Sequence, residues 1–321
     1  MFIAFVGDVM LGRLVNEFIH NYGFRYPLGN IAPVLKKADL VFGNLECAIT
    51  SFDQEWPHPK AFYFRVDLMA IETLKYAGFD YVSLANNHVL DYQEKGLLDT
   101  IKYLNKAGIA YAGAGKNIKE AAKPATLSAN KTKIAVLSYA DHPEDFAASS
   151  NSGINYTEIN TKEEIFSRIR LAIEKAKAVS DLVVFSIHWG PNMRQRPTKD
   201  FVEFAHAVMD AGADIFHGHS AHIFQGIELY KNKMIFYDCG DFVDDYYVGP
   251  EETNDQQLIF FVKIRDDKIK EIELIPLYIN MCQVNLAEFE VFDEIAARIE
   301  KLSKEFGTKV QRKNNKIFIE V

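Results

Sequence analysis

Residues of the types that can bind metal ions follow several short apolar segments, each at the point where the segment ends. Carboxylate, amide and imidazole groups in one place favour Zn²⁺, Mn²⁺ or Fe²⁺ over Ca²⁺ or Mg²⁺. The pattern therefore predicts a site for divalent metal ions. Its residues are Asp8 after Gly7, Asn44 and Glu46 after Gly43, Asn87 and His88 after Asn86, then His188, and finally the group of His217, His219 and His222.

Each of these residues also has an ordinary structural explanation. Asp8 fits the position of a helix N-cap, Asn87 that of a turn residue, and His188 that of a hydrogen-bonded histidine in the core. Glu46 could be a surface carboxylate, and the later histidines could occupy a solvated loop. These explanations require several unrelated coincidences, whereas one shared site accounts for all the positions, so we favour the site.

Apolar segments alternate with amphipathic segments along most of the chain, which predicts an α/β fold with a largely parallel sheet covered on both faces. Ligand sites in such folds lie outside the carboxyl ends of the strands, where the polar residues above would converge. The predicted strands are Phe2–Val6, Leu40–Phe42, Tyr81–Leu84, Lys133–Ser138, Leu182–Ile187, Asp214–Phe216, Met234–Tyr237, Leu258–Ile264 and Lys270–Pro276. The predicted helices are Leu14–His20, Ile31–Lys37, Asp67–Ala77, Gln93–Ala107, Lys162–Val179 and Lys199–Ala211.

The later part of the chain has a different pattern. From Phe224 the apolar segments are separated by short turns at 230–233 and 265–268, which predicts antiparallel pairing. A helix near 289–306 and a hairpin across Lys313-Asn-Asn-Lys316 follow, and Thr161 with Glu164 predicts a capping box for the helix at Lys162. We expect one domain over residues 1–321, with residues 248–321 as strands and a helix that complete it.

The composition excludes some classes of partner. Lys and Arg number 36 against 44 Asp and Glu, a net charge of −8, so the chain lacks the basic surface that nucleic-acid binding needs. No segment approaches the ~20 apolar residues that span a bilayer, and Cys47, Cys239 and Cys282 form no closely spaced pair. The sequence therefore predicts a cytoplasmic protein in a reducing compartment, with neither nucleic-acid nor membrane partners.

Four longer segments carry a family resemblance: GDVMLGR at 7–13, SLANNHVLDY at 83–92, AHIFQGIE at 221–228 and YDCGDFVDDY at 237–246. Together with Gly43-Asn44-Leu45-Glu46 and His188-Trp189-Gly190, this ordered set resembles the CapA family, the poly-γ-glutamate capsule synthesis group. That family is a branch of the calcineurin-like metallophosphoesterase superfamily. The resemblance covers most of residues 1–247 and implies a four-layer α/β/β/α fold, in which two stacked sheets are covered by outer helices.

The resemblance also implies a role for each site residue. The ligands it implies are Asp8 and His222 for a first metal ion, Asn87, His188 and His219 for a second, and Glu46 in the bridging position. His88 would protonate the leaving oxygen, and Asp91 would orient the imidazole of His88. Bound ions of this kind activate a water molecule and neutralise phosphate oxygens.

Four residues are candidates to bind the substrate. Arg13, Arg194 and Arg196 are chosen because guanidinium groups pair with phosphate and carboxylate oxygens, with ordinary surface charge as an equal alternative. Asn44 is the fourth candidate. The expected partner is an anionic small molecule or polymer.

Departures from the phosphoesterase pattern affect the first metal ion. Met10 stands where that pattern has a histidine ligand, and Glu46 replaces an aspartate. The last motif has one extra residue, so His217 competes with His222 as a ligand. A single ion, or a weakly bound first ion, is therefore an alternative to two ions. Asp241 could supply a further oxygen or cap a loop.

Three functions are consistent with these residues. The first is a metal-dependent, phosphoesterase-like hydrolase of unassigned substrate. The second is a protein of capsule or poly-γ-glutamate biosynthesis or processing without phosphatase activity, and the third is a catalytically silent ligand-binding domain. His88 next to Asn87 weighs against the third function, because such a domain could lose the general acid freely.

Overall fold

The alternating segments form helices and strands close to the predicted positions. The computed structural model describes residues 1–313 and 316–321. None of the helices in these ranges is long and apolar enough to cross a membrane. The helices are α1 (Arg13–Tyr22), α2 (Ala32–Leu35), α3 (Met69–Ala77), α4 (Gln93–Ala107), α5 (Ile118–Ala121), α6 (Glu163–Lys177), α7 (Lys199–Asp210) and α8 (Phe289–Lys304), with 3₁₀ turns at Tyr26–Leu28 and Glu144–Phe146.

The strands include the predicted ones and several short additions. They are β1 (Phe2–Val9), β2 (Leu40–Leu45), β3 (Ala48–Ile49), β4 (Arg65–Val66), β5 (Tyr81–Ser83), β6 (Ala110–Ala112), β7 (Ala114–Gly115), β8 (Ala125–Ala129), β9 (Thr132–Ala140), β10 (Gly153–Ile154), β11 (Leu182–His188), β12 (Ile215–His219), β13 (Ile227–Tyr230), β14 (Lys233–Phe236), β15 (Asp241–Val243), β16 (Gln256–Arg265), β17 (Lys268–Asn280), β18 (Gln283–Leu286), β19 (Gln311–Lys313) and β20 (Lys316–Glu320).

Two mixed sheets form the centre of the molecule. The large sheet has ten strands in the order β19-β20-β17-β16-β1-β2-β5-β6, with β15 paired to β1 and β18 paired to β17. Strands β1, β2, β5 and β6 are parallel, and β16 joins β1 antiparallel. The small sheet has six strands in the order β13-β14-β12-β11-β9-β8, of which β14, β12, β11 and β9 are parallel. The small sheet therefore has a parallel centre with an antiparallel strand at each edge, whereas the large sheet is parallel from β1 to β6 and antiparallel on its other side.

The two sheets stack face to face, and helices cover their outer faces. Phe5 of the large sheet and Phe236 of the small sheet are fully buried between them, with ring centroids 5.9 Å apart. Each such ring contributes roughly 1.5–3 kcal/mol through burial. Helices α1, α3 and α4 pack on the outside of the large sheet, and α6 and α7 pack on the outside of the small sheet. This arrangement confirms the four-layer α/β/β/α fold.

Local signals explain where some elements end. Gly78 and Gly108 adopt the left-handed conformation directly after α3 and α4, and their N–H groups bond to carbonyls of the last turn. The predicted capping box before α6 is wrong, because that helix begins at Glu163 without a side-chain cap. The side chain of Asn160 instead accepts a hydrogen bond from the Lys162 N–H at 2.8 Å, and this local turn replaces the cap of Thr161.

The C-terminal segment adds strands to the large sheet and a helix between the sheets. Antiparallel pairing across the turns at 231–232 and 266–267 is confirmed, with left-handed backbone at all four positions. Strands β19 and β20 are paired at Lys313 and Lys316, as the predicted hairpin requires, and residues 314 and 315 lie outside the described residues. Ile295 and Ile299 of α8 join the core between the sheets.

Candidate metal centre

Five of the six predicted metal ligands, all except Asn87, lie together near the carboxyl ends of parallel strands from both sheets. Asp8 lies near the end of β1, and Glu46 follows β2 in the large sheet; His188 and His219 end β11 and β12 in the small sheet. Each of these side chains is fully buried. His222 follows β12 with a left-handed backbone (φ 61°), which turns its side chain back toward the same cluster.

Asp8 is the residue shared by two groups of ligands. One oxygen, Oδ1, lies 3.5 Å from His219 Nδ1 and 3.7 Å from His188 Nδ1. The other oxygen, Oδ2, lies 3.5 Å from His222 Nδ1. The first group is Asp8, His188 and His219, and the second is Asp8, Glu46, His222 and Asp241; within each group the ligand atoms lie within 4.8 Å of one another.

Glu46 lies between the histidines of the two sheets. Its Oε1 atom is 3.8 Å from His188 Nε2 and 3.9 Å from His88 Nε2. Its Oε2 atom accepts a hydrogen bond of 3.4 Å from the Tyr246 hydroxyl. The carboxylate therefore faces both ligand groups, as expected for a residue in the bridging position.

Several polar atoms of the cluster are buried without any hydrogen-bond partner. A buried polar atom without a partner costs about 1–3 kcal/mol, and such atoms are rare in folded proteins. Their concentration at one place is the pattern expected of ligands that bind a metal ion. The atoms are Asp8 Oδ2, Glu46 Oε1, His188 Nε2 and Asp241 Oδ2, and the oxygen of the predicted ligand Asn87, Oδ1, is also buried without a partner.

Burial has opposite effects on the acids and the bases of the cluster. It raises the pKa of Asp8, and raises the pKa of Glu46 and Asp241 well above the usual value of a carboxyl group. It lowers the pKa of His188 well below its usual value and that of His222 to about 4. The histidines are therefore neutral with free lone pairs, and a divalent cation would stabilise the ionised carboxylates.

Asn44 supports Asp8 through a buried hydrogen bond. Its amide donates a hydrogen bond of 2.7 Å to Asp8 Oδ1, and its carbonyl oxygen accepts one of 3.0 Å from Asn86. The residue is fully buried. Both ends of the amide are used inside the protein, so Asn44 supports Asp8, and its contact with substrate stays a prediction.

The extra histidine of the last motif has a structural contact. His217 Nε2 donates a 2.9 Å hydrogen bond to the carbonyl oxygen of Val6, and Nδ1 lies 3.2 Å from Ser186 Oγ. His222 instead lies beside Asp8, and its Nδ1 is 3.0 Å from Asp241 Oδ1. The geometry therefore favours His222 over His217 as the ligand.

Asp241 belongs to the cluster because β15 pairs with β1. The two strands are parallel, and Asp241 is in register with Asp8. Gly7 permits this close pairing, since a Cβ atom there would lie 1.7 Å from the Gly240 carbonyl oxygen. The sequence alone did not distinguish whether Asp241 supplies an oxygen ligand or caps a loop. The structure places its carboxylate with the ligands.

His88 and Asp91 form a buried pair beside the cluster. His88 Nδ1 contacts Asp91 Oδ2, and the imidazole stacks on the Phe64 ring with centroids 3.7 Å apart. The opposite ring nitrogen, Nε2, faces Glu46. Asp91 therefore orients His88 as the resemblance implies, with one ring nitrogen directed at the ligands.

The predicted arginines lie in three different settings. Arg13 lies over the Phe62 and Phe64 rings at 5.0 and 5.7 Å, and Phe64 contacts His88, so Arg13 is near the site. Arg194 is exposed and lines a small cleft with Ala221. Arg196 makes two 2.8 Å hydrogen bonds to Glu305, just beyond α8. The guanidinium of Arg196 is engaged in this exposed ion pair, and its contact with substrate stays a prediction.

A further histidine borders the cluster and was not predicted. His142 follows β9, and its ring centroid is 5.3 Å from that of His188. Its Nδ1 contacts Asp141, whose other oxygen accepts a 3.0 Å hydrogen bond from the Gly190 N–H. The same signal of polar residues after a strand would have found this pair, had the predicted strand ended at Ala140 rather than Ser138.

Residues 2–246 match the family model described as bacterial capsule synthesis protein PGA_cap. The chain belongs to this family. It is 33% identical over 280 residues to capsule biosynthesis protein CapA of Bacillus anthracis, across 87% of this chain and 67% of that protein. It is 31% identical over 280 residues to PGA biosynthesis protein CapA of Bacillus subtilis, across 86% of this chain and 71% of that protein.

A solved structure supports the same fold. The chain resembles a candidate 5'-nucleotidase from Staphylococcus aureus, with a TM-score of 0.50 and 14% sequence identity. The match covers 94% of this chain and 58% of that one. The chain therefore shares the fold of that structure, and the resemblance of the motifs to the CapA family is confirmed by the family match.

One departure from the phosphoesterase pattern has a structural explanation. Met10, which stands where a histidine ligand is expected, is fully buried, and its sulfur accepts a 3.2 Å hydrogen bond from the Gly12 N–H. Met10 therefore packs in the core. Asp241 adds a carboxylate to the same group of ligands as Asp8 and His222.

Proposed function

We propose that this PGA_cap chain is a metal-dependent hydrolase that acts on an anionic, phosphoester-like substrate. The observation that carries the proposal is the set of buried ligand atoms without partners in two groups that share Asp8. A structural role for these side chains would leave their desolvation uncompensated. Bound divalent ions compensate it.

The residues divide into two ligand sets. Asp8, Glu46, His222 and Asp241 would hold one ion, while Asp8, His188 and His219, with the Asn87 amide oxygen, would hold the other. Mixed carboxylate and imidazole ligands fit Mn²⁺, Fe²⁺ or Zn²⁺. Such ions, when bound, lower the pKa of a water molecule and stabilise the charge of a phosphoryl group in the transition state.

His88 would donate a proton to the leaving oxygen. Its Nδ1 is held by Asp91 and its Nε2 faces Glu46, so a substrate bound at the cluster would meet the free nitrogen. A general acid contributes about 10²- to 10⁴-fold in rate. Arg13 lies near this edge of the site, with its Nε 3.2 Å from Asp245 Oδ2. Its other guanidinium N–H groups would bind an anionic part of the substrate.

A second candidate function is a role in capsule or poly-γ-glutamate biosynthesis without phosphatase activity. The names of the Bacillus relatives favour it. In this case the same cluster would act on or bind a γ-linked glutamate polymer, whose carboxylates are also anionic. The intact pair of His88 and Asp91 argues against a catalytically silent binding domain.

Metal analysis with a substrate panel tests the proposal. The purified protein is incubated with Mn²⁺, Fe²⁺ or Zn²⁺, desalted, and assayed for bound metal and for hydrolysis of phosphomonoesters, phosphodiesters and γ-glutamyl oligomers. We expect bound metal that falls in His188→Ala, while His206→Ala keeps it, because His206 pairs with Glu228 outside the cluster. Protein that binds none of these ions and hydrolyses none of these substrates would contradict the proposal, and hydrolysis of γ-glutamyl oligomers alone would favour the second candidate.

The role of His88 has its own test. We expect His88→Ala to lose about 10²- to 10⁴-fold in turnover and to retain its metal, since His88 lies outside both ligand groups. Turnover and metal content are measured on the same preparation. Loss of metal together with turnover would show that His88 is a ligand and not the general acid.

A further inference from the structure

The segment between β3 and β4, residues 50–64, is attached to the pair of His88 and Asp91. The Phe64 N–H donates a 2.7 Å hydrogen bond to Asp91 Oδ2, and the Trp56 N–H donates one of 2.8 Å to the Asp91 carbonyl oxygen. The Phe64 ring also stacks on the imidazole of His88. Asp91 therefore connects this segment to the imidazole that faces the metal ligands.

Lys60 supplies the one charged contact between this segment and Asp91 in the described part of the chain. Its Nζ donates to Asp91 Oδ1 and to the carbonyl oxygen of Asn87. The Lys60 side chain is 18% exposed, and that of Asp91 is fully buried. Nζ also lies 4.9 Å from the centre of the Phe146 ring. A buried, charge-assisted contact of this kind fixes geometry more firmly than an exposed ion pair.

The two oxygens of Asp91 have separate partners. Lys60 occupies Oδ1, whereas His88 and the Phe64 N–H occupy Oδ2. Rotation of the carboxylate away from this orientation would break both sets of contacts at once. Without Lys60 a fully buried carboxylate would lose its cation, and the orientation that it gives to His88 would be lost with it.

We propose that Lys60 is a positioning residue: by linking the Asp91 carboxylate to the backbone of Asn87, it holds His88 Nε2 toward the metal ligands. Lys60 lies outside the motifs that carry the family resemblance. The kinetic consequence rests on the proposed function, whereas the position of the His88 ring does not, so the two are measured separately.

NMR of histidine side chains tests the position without any activity. In protein labelled with ¹⁵N-histidine, the His88 resonances are identified by their absence in His88→Gln. We expect wild type to show one neutral tautomer with the proton on Nδ1, and Lys60→Met to show averaging between tautomers. Lys60→Gln gives the same change, and Lys60→Arg, which keeps the charge, restores much of the wild-type spectrum.

Lys95→Met is the matched control, because Lys95 forms a similar pair with Asp99 on α4. We expect its His88 resonances to be those of wild type. Unchanged His88 resonances in both Lys60→Met and Lys60→Gln would overturn the proposal. If wild type hydrolyses nothing yet the Lys60 variants shift these resonances, the proposed function fails and the positioning role stands.

Kinetics with a series of leaving groups adds the functional test. Protonation by a general acid matters more for a poor leaving group than for a good one, so we expect the loss in Lys60→Met to be larger for phenyl than for p-nitrophenyl phosphate esters. We expect kcat of Lys60→Met to fall by about 10- to 100-fold, the scale seen when partners that orient active-site groups are removed. KM and metal content should change little. Equal losses for both esters, or lost metal, would contradict the positioning role.

Discussion

At the scale of single residues, Asp241 is the ligand candidate whose substitution tests the ligand group most directly. It lies in register with Asp8 and contributes one of three carboxylates to its ligand group. We expect Asp241→Asn to weaken binding of one ion by about tenfold or more, the lower end of what even indirect metal partners contribute. Isothermal titration of Mn²⁺ into the metal-free protein measures this change.

Asp99→Asn serves as the control for Asp241→Asn. Asp99 is also buried, but its partners are Thr50 and Lys95, outside the ligand groups. We expect its metal affinity to equal that of wild type. Equal affinity and stoichiometry in Asp241→Asn and wild type would show that Asp241 is not a ligand.

The residues that could be predicted from the sequence are those whose position follows from the neighbouring residues along the chain. Asp8, Glu46, His188 and His219 each come at or just past the end of an apolar segment, and parallel strands bring such ends together. Asp241 was harder to assign because it begins a strand. The ion pair of Arg196 could not be predicted, because its partner Glu305 is 109 residues away and no local pattern reveals such a contact.

At the scale of elements, the pairing of β1 with β15 is what brings the two carboxylates together. The Asp8 N–H donates a 2.9 Å hydrogen bond to the Gly240 carbonyl oxygen, beside Gly7. A methyl group at Gly7 would lie 1.7 Å from that oxygen, so the strands would have to separate. We expect Gly7→Ala to destabilise the fold by about 1–3 kcal/mol, as overpacking does, and to weaken metal binding. Urea unfolding and metal titration measure the two effects.

Gly249→Ala is the control for Gly7→Ala, because its added Cβ atom would crowd a side chain and not the backbone. A Cβ atom at Gly249 would lie 2.0 Å from Glu252 Oε2, the end of a flexible side chain that can move aside. We therefore expect little change in the free energy of unfolding and none in metal affinity. If Gly7→Ala behaved like Gly249→Ala in both measurements, the close pairing of β1 and β15 would not be what positions Asp241.

The elements that could be predicted are those with a long, regular pattern. The bounds of α4 agree with the prediction at both ends, and the parallel strands β1, β2, β11 and β12 were all expected. Two-residue strands such as β3 and β4 carry no periodic signal, so the segment between them that contacts Asp91 could not be predicted. The predicted helix at 31–37 is limited to Ala32–Leu35 for a similar reason, since so short a segment depends on its tertiary contacts.

At the scale of the whole molecule, the proposed ligands divide between the two sheets. The large sheet contributes Asp8, Glu46 and Asp241, and the small sheet contributes His188 and His219. The same sheets share an apolar core at Phe5 and Phe236. Bound ions would therefore link two layers that otherwise meet through apolar side chains, and metal binding should be coupled to the stability of the whole fold.

We expect removal of metal to lower the melting temperature, because an ion that binds only the folded chain stabilises it. At a free metal concentration a hundredfold above Kd the gain is ~2.7 kcal/mol per site, or about 5 °C for a chain of this size. Calorimetry of the EDTA-treated protein, before and after titration with Mn²⁺ or Zn²⁺, measures the shift.

Asp8→Asn should lose most of this increase in melting temperature, because Asp8 is shared by both ligand groups. Asp214→Asn should keep it, since Asp214 precedes β12 at the opposite end of that strand and pairs with Lys177. An equal shift in wild type and Asp8→Asn would place the stabilising ion elsewhere and separate metal binding from the junction of the two sheets.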